Sequence, residues 1–297
     1  MNATYRPQPL AAAGAVNFHL TRACDSRCRF CFATFRTLPR QLSAADGRAL
    51  ITALRRAGAQ KINFAGGEPT LHPHLAEYLH FAKGLGMTTS VITNGYRLPR
   101  LLAAAAAALD WAGLSCDTAD EATQQALGRG HGDHVRRTVA LAEQLHDHGV
   151  RVKLNTVVTA ETWREDMSAL VLAVRPERWK VFQVLPVAGQ NDGDVEDLLI
   201  TERQLRAFVA RHGAVREAGV TLVAEDNAAM TDSYVMVDPA GRMVGNSGGR
   251  TVTSAPVLEV GVAAALEAVG FDATRLIARG GRYAWAGRRP ELERGAA

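Results

Sequence analysis

Between Val16 and Leu185 the chain repeats one pattern: a short apolar run rich in β-branched residues, then a longer stretch with helical spacing. The strands this predicts are Val16–Leu20, Lys61–Ala65, Thr88–Thr93, Trp111–Ser115, Arg151–Val158 and Arg178–Leu185. The helices fall near Ala44–Ala57, Leu75–Lys83, Leu98–Ala108, Val135–His148 and Arg164–Val174. Strands joined by helical crossovers run parallel, so the fold class is α/β. Six units are fewer than the eight that close a full barrel, and the pattern predicts a partial (β/α)6 barrel. After Leu185 the pattern changes. Pro186 to Asp194 reads as a loop, Thr201–His212 as a helix capped by Thr201, and the chain beyond Gly219 as short strand-like pieces, a glycine-rich Gly245–Gly249 loop, a helix near Leu258–Val269 and an Arg/Gly tail. The expected organisation is a flexible segment 1–15, a barrel 16–190 and a C-terminal extension 191–297 that closes one mouth of the barrel. The alanine run Ala103–Ala108 reads as plain helix.

Alternate residues of a strand share a face. On that rule Asn17 and His19 point one way, as do Lys61 and Asn63, Lys153 and Asn155, and Arg178 and Lys180. Val16, Phe18, Ile62, Phe64, Val152, Leu154, Trp179 and Val181 take the other face and pack on the helices, which turns the polar set into the lumen. A register slip of one residue would reverse this. The chain holds 34 basic residues, of which only Lys61, Lys83, Lys153 and Lys180 are lysines, and three of those four sit inside strand-like runs. Buried cations without partners cost several kcal/mol each. The readable inward faces offer few carboxylates, which favours a bound polyanion such as a triphosphate.

Cys24, Cys28 and Cys31 lie in one run, Cys24-Asp25-Ser26-Arg27-Cys28-Arg29-Phe30-Cys31. Three thiolates at this spacing can hold an iron–sulfur cluster and leave one iron without a protein ligand. The alternative is a zinc site with His19 or a remote residue as fourth ligand, although zinc knuckles usually pair two CxxC hooks and no second hook exists here. The Ala65-Gly66-Gly67-Glu68-Pro69 segment follows the Lys61–Ala65 strand. Its glycines let backbone approach a ligand closely, and Glu68 can accept a hydrogen bond or pair with an ammonium. Thr93-Asn94-Gly95 closes the next strand as a turn.

Hydrophobic content of 47% and charged content of 22% describe a soluble globular chain. A net charge of +4 is too mild to imply nucleic-acid binding. With three of four cysteines in one motif, the count argues against a disulfide framework and for a reducing compartment. No run reaches the roughly 18 apolar residues of a membrane span, and Met1–Ala15 lacks the features of a signal peptide, so a cytoplasmic protein without membrane attachment is expected.

The CxxxCxxC spacing with Phe30 before its last cysteine, followed one strand later by the Gly-Gly-Glu-Pro turn, resembles the radical S-adenosylmethionine (SAM) superfamily. That likeness implies a 4Fe-4S cluster on Cys24, Cys28 and Cys31, with SAM on the open iron and Gly66, Gly67 and Glu68 around its amino group. More narrowly, the chain resembles the viperin family. The likeness is carried by Asn17-Phe18-His19-Leu20-Thr21-Arg22-Ala23-Cys24, Lys61-Ile62-Asn63-Phe64-Ala65-Gly66-Gly67-Glu68-Pro69, Ser115-Cys116-Asp117 and Gly128-Arg129-Gly130. It continues through Arg178-Trp179-Lys180-Val181-Phe182-Gln183, Asp232-Ser233-Tyr234 and Gly280-Gly281-Arg282-Tyr283. It spans nearly the whole chain, from Asn17 to Trp285.

The family resemblance implies conversion of CTP, UTP or GTP to the 3′-deoxy-3′,4′-didehydro analogue, an RNA chain terminator in antiphage defence. It implies an electron donor such as flavodoxin or ferredoxin. Ser115 and Arg129 would contact SAM. Asn17, Lys61, Asn63, Lys153, Asn155, Arg178 and Lys180 would hold the triphosphate and ribose, and Tyr234 would pass an electron or proton to the ribose. Animal members carry an N-terminal amphipathic helix, which this chain is expected to lack, as a soluble prokaryotic form would. Two departures stand out. Asn246-Ser247-Gly248-Gly249-Arg250 replaces the family's Asn-Cys-Thr-Gly-Gly-Arg, and Ala65 replaces a serine. The competing expectation is a radical SAM enzyme acting on a peptide or other metabolite; such relatives often carry further C-terminal cysteines, and none follows Cys116.

Overall fold

A computed structural model describes residues 8–38 and 40–286. Ten strands form one sheet: β1 (Ala15–His19), β2 (Lys61–Ala65), β3 (Thr88–Thr93), β4 (Trp111–Ser115), β5 (Arg151–Val158), β6 (Arg178–Gln183), β7 (Thr221–Glu225), β8 (Met236–Val237), β9 (Arg242–Gly245) and β10 (Val252–Pro256). Their order is β10-β9-β8-β1-β2-β3-β4-β5-β6-β7. β1 to β7 are parallel and in sequence, β8 runs parallel to β1, and β9 and β10 turn back antiparallel. The crossovers carry α1 (Ala44–Arg56), α2 (Leu75–Gly84), α3 (Leu98–Ala105), α4 (Glu121–Ala126), α5 (His134–Asp147), α6 (Ser168–Val174), α7 (Glu202–Arg211) and α8 (Ala214–Glu217). Four more follow: α9 (Asn227–Met230), α10 (Val257–Val260), α11 (Val262–Glu267) and α12 (Ala273–Ala278).

The parallel α/β architecture and the open barrel are as the sequence predicts. The extension differs. β7 pairs with β6 and β8 pairs with β1, so residues beyond 190 supply strands to the same sheet at both of its flanks. The part of the 1–15 segment that is described is packed: Leu10 and Ala13 are buried, and the Leu10 amide donates to Ala57 O at 2.9 Å. Residues 1–7 and the end of the Arg/Gly tail, 287–297, lie outside the described residues. The alanine run does not stay α-helical; Ala106–Ala108 tightens into a 3-10 turn before β4.

The two faces of the strands separate as the alternation requires. Val16, Phe18, Ile62, Phe64, Val152, Leu154, Trp179 and Val181 are all buried in the apolar core under the helices. α1 shows how a crossover is held. Ser43 caps it by accepting from the Asp46 amide, and Leu50, Ile51 and Leu54 are buried against the sheet. The cap contributes about 1 kcal/mol and a Leu50→Ala cavity would cost about 2–5 kcal/mol. α7 begins at Thr201 as predicted, with a complete capping box to Gln204.

Lys83 does not belong to the lumen; it sits on α2 and pairs with the buried Asp110 at 2.5 Å. The last described segment, from Gly280 to Ala286, runs across the N-terminal ends of the strands. Arg178 donates to Gly280 O at 2.7 Å, Lys61 to the Tyr283 hydroxyl at 2.8 Å and Trp111 Nε1 to Trp285 O at 3.0 Å. That segment closes one mouth of the barrel, leaving the other end to the loops after β1 to β4.

Candidate active site

A cavity of about 350 Å³ fills the lumen. Every site residue singled out from the sequence lines it: Cys24, Cys28 and Cys31; Gly66, Gly67 and Glu68; Ser115 and Arg129; Asn17, Lys61, Asn63, Lys153, Asn155, Arg178 and Lys180; and Tyr234. The residues are layered. The cysteine loop, the glycine turn, Ser115 and Arg129 lie at the C-terminal ends of the strands. Lys61 and Arg178 open β2 and β6 at the other end, and Asn17, Asn63, Lys153 and Lys180 stand two residues further along their strands.

At the upper end the two glycines serve a purpose that sequence alone assigned to a ligand. A Cβ on Gly66 would stand 2.8 Å from Thr21 O, and one on Gly67 would stand 2.6 Å from Arg22 O. The close approach is to the backbone leading into the cysteine loop, which the Gly67 and Glu68 amides hold by donating to Thr21 O and Ala23 O at 2.6 and 2.8 Å. Glu68 ties that turn to the next one. Its Oε1 accepts from the Thr70 amide, the Thr70 hydroxyl and the Thr93 hydroxyl at 3.0, 2.6 and 2.7 Å, and its Oε2 from the Asn94 amide at 2.8 Å. Burial pushes its carboxyl up against the pull of those four donors. Each carboxylate oxygen offers about two acceptor sites, and Oε2, which accepts one donor, keeps one open.

Burial raises the thiols, Cys24 to about 11 and Cys28 to about 12, with Cys31 raised for the same reason. They become thiolates when iron binds them. A structural zinc closes on four protein ligands, and this run supplies three thiols. His19, the alternative fourth ligand, packs its ring on Phe35 at 5.1 Å, and burial drops it to about 4. The donor set fits a cluster of several irons better than one zinc.

Arg129 is held by Asp117, whose Oδ2 accepts from Nε at 2.7 Å while its Oδ1 accepts from the Val157 amide at 2.9 Å. Cys116 is fully buried and donates to Thr118 O, outside the site as expected. The Ser115 carbonyl accepts from the buried His134.

In the lumen Asn63 Nδ2 donates to Asn17 Oδ1 at 2.9 Å. Lys61, Lys153 and Arg178 have no ion pair among the described residues. Burial, then the charges of Lys153, Arg151 and Arg178, push Lys61 well below an ordinary lysine. Lys180 differs, and here the expectation of few internal carboxylates needs correction. Glu225, at the end of β7, is fully buried and accepts from Lys180 Nζ at 2.6 Å and Arg279 at 3.1 Å. Burial brings Lys180 down to about 8 despite that partner. The Tyr234 hydroxyl accepts from Lys180 at 2.6 Å and donates to Glu225. Glu225 and Arg279 escaped the sequence reading because β7 is a short edge strand and Arg279 lies in the turn after α12. The variant loop also reaches the site, since Gly245, Asn246 and Thr251 line the cavity.

An open parallel α/β barrel with a three-thiol loop over a polar lumen defines a radical SAM enzyme. Residues 18–172 match the family described as the radical SAM superfamily. Among solved structures, SuiB of Streptococcus suis bound to S-adenosylmethionine superposes with a TM-score of 0.62 at 19% identity, covering 77% of this chain and 59% of SuiB; that likeness concerns the fold alone. Sequence relatives are nearer. An S-adenosylmethionine-dependent nucleotide dehydratase of Flammeovirga pacifica is 42% identical over 91% of this chain and 96% of its own length. The S-adenosylmethionine-dependent nucleotide dehydratase RSAD2 of Oncorhynchus mykiss is 33% identical over 94% and 82%. The chain belongs to the viperin-like S-adenosylmethionine-dependent nucleotide dehydratases, whose cofactors are a 4Fe-4S cluster and SAM. No described helix is long and apolar enough to cross a membrane.

Proposed function

We propose that this chain dehydrates a ribonucleoside triphosphate, CTP, UTP or GTP, to its 3′-deoxy-3′,4′-didehydro analogue, a terminator of phage RNA synthesis made in the cytoplasm. The names of its relatives support the reaction class. One observation carries the triphosphate: Lys61, Lys153 and Arg178 face the lumen with no ion pair among the described residues, and a polyphosphate is the ligand that would balance them.

Cys24, Cys28 and Cys31 would hold the cluster, and bound SAM supplies a 5′-deoxyadenosyl radical. The free site on Glu68 Oε2 would take the SAM ammonium, with Gly66 and Gly67 shaping the turn beside it and Ser115 and Arg129 flanking the same end. Lys61, Lys153 and Arg178 would anchor the phosphates deep in the barrel, and Lys180, Asn17, Asn63 and Asn155 the ribose. Anchoring at the closed end leaves the ribose beneath the cysteine loop, which positions C4′–H for abstraction. A C4′ radical lies beside the 3′-hydroxyl and eases its loss; Tyr234 would then supply an electron or proton. A protein donor such as flavodoxin or ferredoxin would provide the electrons. The test is an anaerobic assay with SAM, reductant and each nucleotide deuterated at C4′. Deuterium should appear in 5′-deoxyadenosine, with a nucleotide product lighter by water and the lost label. Transfer from C2′ or C3′, or from no nucleotide, would sink the reading.

A further inference from the structure

Two described tyrosines line the cavity, and their surroundings differ in one respect that matters for electron transfer. A phenol that loses an electron becomes a strong acid, so it is oxidised readily only where a base can take its proton. The Tyr283 hydroxyl meets Lys61, a donor, and among the described residues no carboxylate bonds to it. The Tyr234 hydroxyl donates to Glu225. Glu225 itself does not line the cavity; it stands behind Tyr234 and Lys180, fully buried, and its other oxygen is taken by Lys180 and Arg279. The Arg279 guanidinium also sits over the Tyr234 ring, 3.7 Å from its centroid, and donates to Ser233 O at 2.9 Å, which fixes the ring against the carboxylate. Burial opposes its charge, but Lys180 and Arg279 keep Glu225 ionised below the usual carboxylate range. Burial and the Glu225 charge hold the Tyr234 phenol well above its usual value. At rest the proton is therefore on the phenol and the acceptor is empty.

We infer that Glu225 is a positioning residue for the reductive half of the dehydration: it orients the Tyr234 hydroxyl and takes its proton when the phenol gives an electron to the substrate. This rests on the function proposed above. When the C3′–O bond breaks, the hydroxyl leaves as water with a proton from the Lys180 ammonium, and the ribose fragment is one electron short of the alkene. Tyr234 supplies that electron, its O–H bond breaks, the proton moves to the Glu225 carboxylate, and a neutral tyrosyl radical remains. The class of one-electron protein donor that the enzyme already needs reduces the tyrosyl radical, Glu225 returns the proton, and solvent recharges Lys180. The balance is one electron and one proton per water released.

The test uses reconstituted holoenzyme and whichever of CTP, UTP and GTP the parent dehydrates best, deuterated at C4′. In Glu225→Gln, labelled 5′-deoxyadenosine should still form, while dehydrated nucleotide per 5′-deoxyadenosine falls by roughly a hundredfold, the scale of a lost proton-transfer group. The KM for nucleotide should move by no more than about threefold, a split that general misfolding would not produce. A parent-like product ratio in Glu225→Gln overturns the inference. Should that variant fail to take up iron, Tyr234→Phe decides the point, because it keeps the ring against Arg279 and removes only the hydroxyl; it should uncouple in the same way, and a parent-like ratio there overturns the inference equally. A parent that transfers no C4′ deuterium removes the functional reading beneath it, which is a different result from an uncoupled variant.

Discussion

Glu68 is the residue at which the proposed SAM contact and a structural clamp coincide, and Glu68→Ala measured without cofactor isolates the clamp. The side chain accepts four hydrogen bonds from two turns, one after β2 and one after β3. The Thr70 and Thr93 hydroxyls can rotate to other acceptors, but the Thr70 and Asn94 amides cannot. Each buried donor left without a partner costs about 1–3 kcal/mol, so the pair costs about 2–6 kcal/mol. Relief of the buried carboxylate, whose ionisation burial already opposes, offsets the upper part of that range. We expect a loss of about 2–4 kcal/mol, or roughly 3–6 °C in Tm for a chain of this size. The assay is thermal unfolding of the cluster-free polypeptide by circular dichroism, where SAM and iron contribute nothing. Glu68→Gln, which keeps the shape and one acceptor oxygen, should fall between parent and Ala. An unchanged Tm in Glu68→Ala, together with lost SAM binding, would show that the four bonds carry no net stability and that the residue acts on the cofactor alone.

Lys153→Ala should weaken nucleoside triphosphate binding by about 1.5–3 kcal/mol, the range for a hydrogen bond to a charged group, with the iron content unchanged; calorimetric affinities equal to the parent's would mean the lysine makes no phosphate contact. Triphosphate binding should also take up protons. Lys61 lies well below an ordinary lysine and Lys180 at about 8 in the free protein, and a polyanion restores both toward the charged form. The protonated state is therefore the binding state, and affinity should fall as pH rises above about 8. Titration calorimetry at pH about 8.5, above the terminal phosphate's own pKa near 6, in two buffers of different ionisation heat, should give uptake; identical heats in both buffers would refute it.

The sequence was most legible where alternation is strict and both faces of a strand are buried. Lys61-Ile62-Asn63-Phe64 and Arg178-Trp179-Lys180-Val181 each carry large apolar residues that can only face helices, and that fixed the lumen set correctly. Beyond Gly219 the sequence showed only short strand-like pieces without bounds, because β7 is an edge strand with Thr221 and Ala224 exposed and lacks the apolar period that marks β2 or β6. Without its register Glu225 was not placed beside the lumen, and the partner of Lys180 went unseen. β8 is two residues long and is held to β1 across more than two hundred positions, a pairing with no local signature. The glycines of the Gly-Gly-Glu-Pro turn were correctly marked as a close approach, but sequence does not say whether ligand or backbone approaches; Thr21 and Arg22 are the answer.

The electrostatics of the lumen argue for the size of its ligand. Below the Glu68, Asp117 and Arg129 end, Lys61, Lys153, Arg178, Lys180 and Arg279 line the cavity, and Glu225 behind them is the carboxylate that pairs with members of this group. Five cations against one carboxylate leave four positive charges when all are ionised. A nucleoside triphosphate brings about four negative charges, two of them on its terminal phosphate. A monophosphate or diphosphate would leave charge buried at a cost of several kcal/mol per ion. The free protein handles the same excess differently: Lys61, deepest among the cations, is the one driven furthest toward neutrality, and the Tyr283 hydroxyl and Gly280 carbonyl solvate Lys61 and Arg178. Those neutral acceptors are weaker partners than phosphate oxygens. The segment from Gly280 to Tyr283 thus supports the cations without neutralising them, which favours the triphosphate proposed as substrate.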